Sequence, residues 1–492
     1  MSKSLAAHGR QTTIGGNGAA TDHETPPIPT PPITAARPAA HPPTLETRRQ
    51  PLSNQDTLDT TWDAPHPAQP VDGTVIVPAS KSLTNRYLLL AALADGPSRI
   101  SNALASRDSD LMIAALRALG TGIESVDSPD GTVQLRVTPM DLDAQMGQVD
   151  IDCGLAGTVM RFVPPLAALA RGSFTFDGDP HARLRPMAPV LTALSDLGVQ
   201  VTGHGEPGLL PATVNGTGSL AGGRIEIDAS GSSQFISALM LVAARTTHGV
   251  EIVAAEGRIA SPDHIEMTVQ TLRELGVVIT RPTERSWKIE PGRISAFERT
   301  MEPDLSNAGP FLAAAMVTGG TVRIPHWPST TTQVGDQWRT ILTRMGARIT
   351  HHQDGTLQLT GPEEISGIDY ADSSELAPTL AAICALASGV SRLTGIAHLR
   401  GHETDRLAAL ATEINNLGGK VTELEDGLLI EPAPLHGGSF ATYADHRMAT
   451  AGAIIGLAVP GVKVVDIATT AKTMPDFPTL WTTLAASGKA SR

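Results

Sequence analysis

Five segments of this chain end in the same way. They are Leu116-Arg117-Ala118-Leu119-Gly120, Leu194-Ser195-Asp196-Leu197-Gly198, Leu272-Arg273-Glu274-Leu275-Gly276, Leu342-Thr343-Arg344-Met345-Gly346 and Ile414-Asn415-Asn416-Leu417-Gly418. Each reads as the last turn of a helix closed by a left-handed glycine, and a strand-like stretch follows each time. The copies recur at roughly 70–78 residues, too long for a common solenoid repeat. A worn sixth copy runs from Leu480 to Gly488. A second feature recurs between them: an Ala-rich helix that passes through glycine into a strand, as in Phe311 to Ile324 and Leu380 to Val390. Each unit is therefore predicted as βαβαββ. Six units, three per domain, predict two similar α/β halves with a cleft between them. The alternative is a set of unrelated Leu-Gly helix ends, which are common, but near-equal spacing argues against it.

The chain has 492 residues, more than one ordinary domain holds. Residues 1–58 differ from the rest: they contain Pro26-Pro27-Ile28-Pro29-Thr30-Pro31-Pro32 and no apolar periodicity. They are predicted as a disordered Pro-rich extension. They lack the apolar run of a secretory signal, and Asp22, Glu24 and Glu46 interrupt a transit-peptide composition. Aromatic residues are only 3%, so the core has to be built from Ala, Leu, Ile and Val. No stretch approaches the ~20 apolar residues of a membrane span. The net charge of −13 argues against nucleic acid as a partner. It leaves room for a local basic pocket, and two of the seven lysines, Lys81 and Lys472, fall in motif-like stretches. Cys153 and Cys384 make no disulfide framework, so a cytoplasmic location is expected. No Cys/His spacing suggests zinc, and neither a metal nor an organic cofactor is expected.

Seven short stretches carry chemistry. In Pro78-Ala79-Ser80-Lys81-Ser82-Leu83-Thr84-Asn85-Arg86 a strand turns into a helix. Ser80 is placed to cap it, with Lys81, Asn85 and the helix start on one face, where an anion can bind. A capped helix with solvated cations is the plainer reading. Cys153-Gly154-Leu155-Ala156-Gly157-Thr158-Val159-Met160-Arg161 lets backbone approach a ligand closely. The loop Asp179-Pro180-His181-Ala182-Arg183-Leu184-Arg185-Pro186 offers guanidinium forks for carboxylate or phosphate. Ser230-Gly231-Ser232-Ser233-Gln234 supplies neutral donors at a helix start. Gly401-His402-Glu403-Thr404-Asp405-Arg406 gathers two acids, a His and an Arg, with Glu403 and Arg406 predicted on one helix face. Tyr443-Ala444-Asp445-His446-Arg447 and Ala471-Lys472-Thr473-Met474-Pro475-Asp476 each set a cation at or before a helix.

In these places, over about residues 62–485, the chain resembles the 5-enolpyruvylshikimate-3-phosphate synthase family of enolpyruvyl transferases. The resemblance implies an α/β fold of two domains, an inside-out α/β barrel, with domain I from residues 59–79 and 303–492 and domain II from 80–302. The crossings then lie near Ala79 and Pro303. It implies transfer of the enolpyruvyl group of phosphoenolpyruvate to shikimate-3-phosphate with release of phosphate, on the route to chorismate and the aromatic amino acids. Shikimate-3-phosphate is expected at Lys81, Ser82, Arg86, Ser232, Ser233, Gln234, Ser261, Glu375 and His402. Phosphoenolpyruvate is expected at Lys81, Gly157, Arg185, Gln234, Arg406, Arg447 and Lys472. Glu375 is the expected base, and Glu403 with Lys472 or Lys81 the expected acid–base group. A monomer without cofactor, sensitive to glyphosate because Gly157 is kept, is also implied.

The chain departs from the family in several places. Glu375 stands where many relatives carry Asp, His402 where Lys is common, and His264 where Tyr is frequent. His181 and His398 replace polar or basic residues, and Leu155 replaces an amide. Two rival readings remain at this point. One is a transferase acting on UDP-N-acetylglucosamine, but the loop Gly178 to Pro186 lacks the cysteine usual there. The other is a non-catalytic anion-binding protein on the same fold, against which the joint presence of Glu403, Arg406, Arg447 and Lys472 argues.

Overall fold

The computed structural model describes residues 61–126 and 132–488. The predicted Pro-rich extension over 1–58 lies outside the described residues.

Each of the five glycine-ended segments closes a helix. Gly120, Gly198, Gly276, Gly346 and Gly418 all have φ between +85° and +107°, which favours glycine because it has no Cβ. The sixth copy differs: the helix Phe477–Ala485 ends at Ala486 in the right-handed region.

Among the described residues the strands form five four-stranded sheets and one three-stranded sheet. The unit from Gln145 to Thr217 shows the plan. Strand Gln145–Asp152 leads into helix Gly157–Leu169, strand Arg171–Asp177, helix Ala188–Asp196 and the antiparallel pair Gln200–Gly203 and Ala212–Thr217. Its first two strands are parallel, so a helix has to cross between them. The same order recurs over Gly223 to Ile289 and Asp369 to Glu431. The other units are completed from distant chain. Strand Glu298–Thr300 pairs in parallel with Ser98–Ser101, and strand Asp72–Thr74 with Thr321–Ile324. The sixth sheet has three strands, with Val462–Val465 between Thr61–Asp63, antiparallel to it, and Gly438–Phe440, parallel to it.

Two hydrophobic cores result. One is built from Ala79 to Met301. The other joins Ala64 to Val77 with Leu305 to Ala485. The strands between cross at Ala79 and Pro303, which form an antiparallel bridge. Ser80 donates its N–H to the Glu302 carbonyl and Asp304 donates to the Pro78 carbonyl, both at 2.8 Å.

The helices sort into two kinds. Lys81–Leu93, Gly157–Leu169 and Gln234–Ala243 are buried almost throughout and pack on one another. Leu305–Thr318, Ala377–Cys384 and His446–Ala458 do the same in the other half. A helix that is apolar all round has to sit inside, so helices occupy the centres and sheets lie outside. The remaining long helices, such as Arg107–Ala118 and Asp263–Glu274, bury one face only. Among the described residues no helix is long and apolar enough to cross a membrane.

Candidate active site

All six central helices begin at one cleft of about 710 Å³. Lys81, Ser82, Gly157, Thr158 and Gln234 line it from one half, with Asp304, Asn307, Glu375, His446 and Arg447 from the other. Each helix start leaves backbone N–H groups unpaired and carries the positive end of its dipole. Six such ends around one space favour a multiply charged anion.

The first helix is capped by Ser80, whose Oγ accepts from the Leu83 N–H. Lys81 opens it, donating its backbone N–H to Asp304 across the cleft and its Nζ to Asp108, both at 3.2 Å. Asn85 does not face the cleft as expected. It is fully buried and donates to the Thr158 hydroxyl at 2.7 Å, because the face four residues on from Lys81 packs on the helix Gly157–Leu169. Arg86 is also buried; it donates to the Ser82 and His264 carbonyls and to Thr268. Burial lowers its guanidinium to about 10.

Gly157 opens the second helix between two arginines. A Cβ placed there would lie 3.1 Å from Arg185 Nη2 and 3.3 Å from Arg161 Nη1. Arg185 donates to the Leu155 carbonyl and Arg161 to Gln234 Oε1. Burial, with Arg185 adding to it, pulls Arg161 well below its usual value. The Nε atoms of both arginines are buried without a hydrogen-bond partner. Ser232 lines the cleft and accepts from the Gln234 N–H. Ser233 is buried at the helix start. Ser261 lies in an adjoining cavity, bonded to Ser374 and His398.

The opposite wall is an ionic network. Glu403 is not on the helix as predicted: Asp405 is the N-cap and Arg406 the first helical residue. The pair forms nonetheless, with Arg406 Nη2 2.9 Å from Glu403 Oε2. Arg406 also grips Asp445 through Nε and Nη2 at 2.7 and 3.1 Å, and its Nη1 lies 3.0 Å from His402 Nδ1. Burial opposes its charge, but Asp445 and Glu403 outweigh burial and raise it. Lys472 reaches Glu403 at 2.5 Å and the Leu155 carbonyl of the other half at 3.3 Å. Burial lowers the Lys472 ammonium from its ordinary value, with Glu403 working against that. Glu403 lies well below the usual carboxylate range: burial would raise it, but Lys472, Arg406 and Arg185 prevail. Glu375 is held low in the same manner by His264, Arg447 and Ser306, again against burial.

Of the fifteen residues the sequence singled out, eleven line the cleft and Lys472 touches it through Glu403; Arg86, Ser233 and Ser261 stand behind or beside it. Sequence reasoning missed Asp304, Asn307, Asp108 and His446 as site residues. An Asp followed three residues later by Asn at the start of an Ala-rich helix is an N-cap signature, and it was the available signal for the first two.

Burial pulls His446 and His402 well below their ordinary value, and His398 to about 4. A depressed histidine contributes stability that is full above its unfolded value near 6.5 and is lost as pH falls toward the folded one. The low Glu403 and Glu375 act in the same direction at more acid pH. Urea unfolding is therefore expected to show lower stability at pH 5.5 than at pH 7.5. Equal stability at the two pH values would show that burial does not hold these histidines neutral.

Known proteins resemble this chain in sequence and fold. The sequence profile of EPSP synthase (3-phosphoshikimate 1-carboxyvinyltransferase) matches residues 65–481. A 3-phosphoshikimate 1-carboxyvinyltransferase from Kocuria rhizophila is 59% identical over 435 residues, 87% of this chain and 97% of the relative. Two solved structures share the fold. An EPSP synthase from Acinetobacter baumannii superposes with a TM-score of 0.71 at 24% identity, over 88% of this chain and all of the other. The enolpyruvyl transferase NikO from Streptomyces tendae gives 0.66 at 19%, over 85% and 96%. With a family profile spanning most of its length and a relative this similar, the chain belongs to the EPSP synthase (3-phosphoshikimate 1-carboxyvinyltransferase) family.

Proposed function

We propose that this protein transfers the enolpyruvyl group of phosphoenolpyruvate to the 5-hydroxyl of shikimate-3-phosphate, releasing phosphate, in aromatic amino-acid biosynthesis. The observation that carries it is the pair of buried guanidinium groups, Arg161 and Arg185, flanking Gly157 with unpaired Nε donors. Both residues line the cleft, and planar guanidinium forks match the carboxylate or phosphate oxygens of phosphoenolpyruvate. The name of the Kocuria rhizophila relative supports shikimate-3-phosphate as acceptor.

The residues then divide the work. Phosphoenolpyruvate is held by Lys81, Gly157, Arg185, Gln234, Arg406, Arg447 and Lys472. Shikimate-3-phosphate is held by Lys81, Ser82, Arg86, Ser232, Ser233, Gln234, Ser261, Glu375 and His402. Glu375 takes the proton of the attacking hydroxyl as its oxygen bonds to C2. The Glu403–Lys472 pair supplies a proton to C3; Lys472, eased by burial, is the better donor. Elimination reverses the C3 transfer: the C3–H electrons form the double bond, and phosphate leaves with the C–O pair. The cations offset the charge of two anionic substrates in one cleft.

Domain I, residues 59–79 with 303–492, and domain II, residues 80–302, close over the substrates about Ala79 and Pro303. The division of the hydrophobic cores supports this. A monomer suffices, since one chain contributes both walls. Free, buried Cys153 and Cys384 suit a cytoplasmic location.

The test is phosphate release from shikimate-3-phosphate plus phosphoenolpyruvate, beside UDP-N-acetylglucosamine plus phosphoenolpyruvate. Release with the first pair alone is expected; release with the second alone overturns the acceptor. A Gly157→Ala change should discriminate ligands, because its methyl crowds both arginines. We expect KM for phosphoenolpyruvate to rise about tenfold, ~1.4 kcal/mol, and inhibition by glyphosate to weaken further. An unchanged KM would place phosphoenolpyruvate elsewhere.

A further inference from the structure

We infer that His264 is a positioning residue for Glu375, and that the pair is assembled only when the two halves come together. His264 belongs to the half with the core Ala79 to Met301, and Glu375 to the other. His264 Nε2 lies 2.5 Å from Glu375 Oε2. The second carboxylate oxygen accepts from Ser306 of Glu375's own half at 2.8 Å, with Arg447 Nη2 at 3.7 Å. One oxygen is thus held from each side of the cleft.

The contact is the inner end of a seam. Arg258, Ser261 and His264 follow one another at three-residue spacing and meet Asp372, Ser374 and Glu375. Arg258 pairs with Asp372, and Ser261 Oγ lies 2.5 Å from Ser374 Oγ. Ser261, Asp372 and Ser374 have φ of 47°, 63° and 47°. Residues other than glycine rarely adopt such values unless surrounding structure holds them. The strained backbone on both sides brings His264 and Glu375 face to face.

A glutamate has a long, freely rotating arm, and a base has to sit within hydrogen-bond reach of the proton it takes. With the imidazole neutral and its proton on Nε2, His264 donates to Glu375 and fixes that arm. Other charged groups around the pair are Arg86, Arg447 and Arg406, with Asp263, Asp304 and His398.

This inference rests on the reading of Glu375 as the base. The experiment is steady-state phosphate release by the full chain with shikimate-3-phosphate and phosphoenolpyruvate, across about pH 5–9. His264→Leu is expected to lower kcat about 10²-fold, with KM for phosphoenolpyruvate and the urea midpoint little changed. His264→Gln keeps an amide N–H donor, so it should restore most of kcat. A wild-type kcat in His264→Leu overturns the inference, as does equal loss in both variants. Wild-type protein that releases no phosphate from this substrate pair overturns the functional reading itself, and the inference falls with it.

Discussion

Lys472→Met should lower kcat for phosphate release by about 10³-fold or more while leaving the fold intact. The methionine keeps the volume of the buried stem but removes two things at once. One is the ammonium 2.5 Å from Glu403, the proposed proton source for C3. The other is a positive charge facing the anionic substrates. General acid–base groups contribute about 10²–10⁴ and a single electrostatic donor about 10²–10³, so a combined loss near the upper end follows. Glu403 retains Arg406 as a partner at 2.9 Å, which protects the fold. Single-turnover kinetics separate the two losses: a defect in chemistry with substrate binding kept identifies the proton, and weaker binding identifies the charge. A kcat within tenfold of wild type would exclude Lys472 from the proton transfer.

The largest effect on stability should come from Arg406→Met. Arg406 is 1% exposed and joins Asp445, Glu403 and His402. Asp445 is itself fully buried, and its carboxylate also caps the helix His446–Ala458 through the Arg447 N–H at 2.8 Å. Removing one partner of a buried ion pair leaves a charge that water cannot reach, at a cost of about 3–5 kcal/mol. Urea unfolding should show this as a lowered midpoint. The double variant Arg406→Met with Asp445→Asn should recover part of the loss, since the orphaned charge goes too. A double variant no more stable than the single one would mean that the cost lies in packing.

The repeat was legible because helix ends have a strong local signature. Gly120, Gly198, Gly276, Gly346 and Gly418 all stand in the left-handed conformation that their position after an apolar helix end implies. The sixth unit was faint for the converse reason, ending at Ala486 without a left-handed residue. Strand exchange was not legible. Glu298–Thr300 pairs with Ser98–Ser101 some 200 residues away, and no local pattern encodes a partner at that distance. At the site, residues clustered in one segment, such as Glu403 and Arg406, could be found together. Asp304 and Asp108 could not, because each meets Lys81 only through the packing of separate units. Asn85 shows the limit of helical spacing: it shares a face with Lys81, yet that face meets another helix.

The bridge between Ala79 and Pro303 also constrains the order in which the molecule can be made. Everything needed for the core of Ala79 to Met301, including the late strand Glu298–Thr300, has been synthesised by about residue 303. That core can therefore close while synthesis continues, as domains commonly do. The other core cannot. Its strands Thr61–Asp63 and Asp72–Thr74 emerge first, but their partners Val462–Val465 and Thr321–Ile324 emerge later. The nascent chain thus holds two unpaired strands through more than two hundred residues of translation. A premature stop anywhere between Pro303 and Val462 leaves one folded half and an exposed remainder for chaperones or proteases.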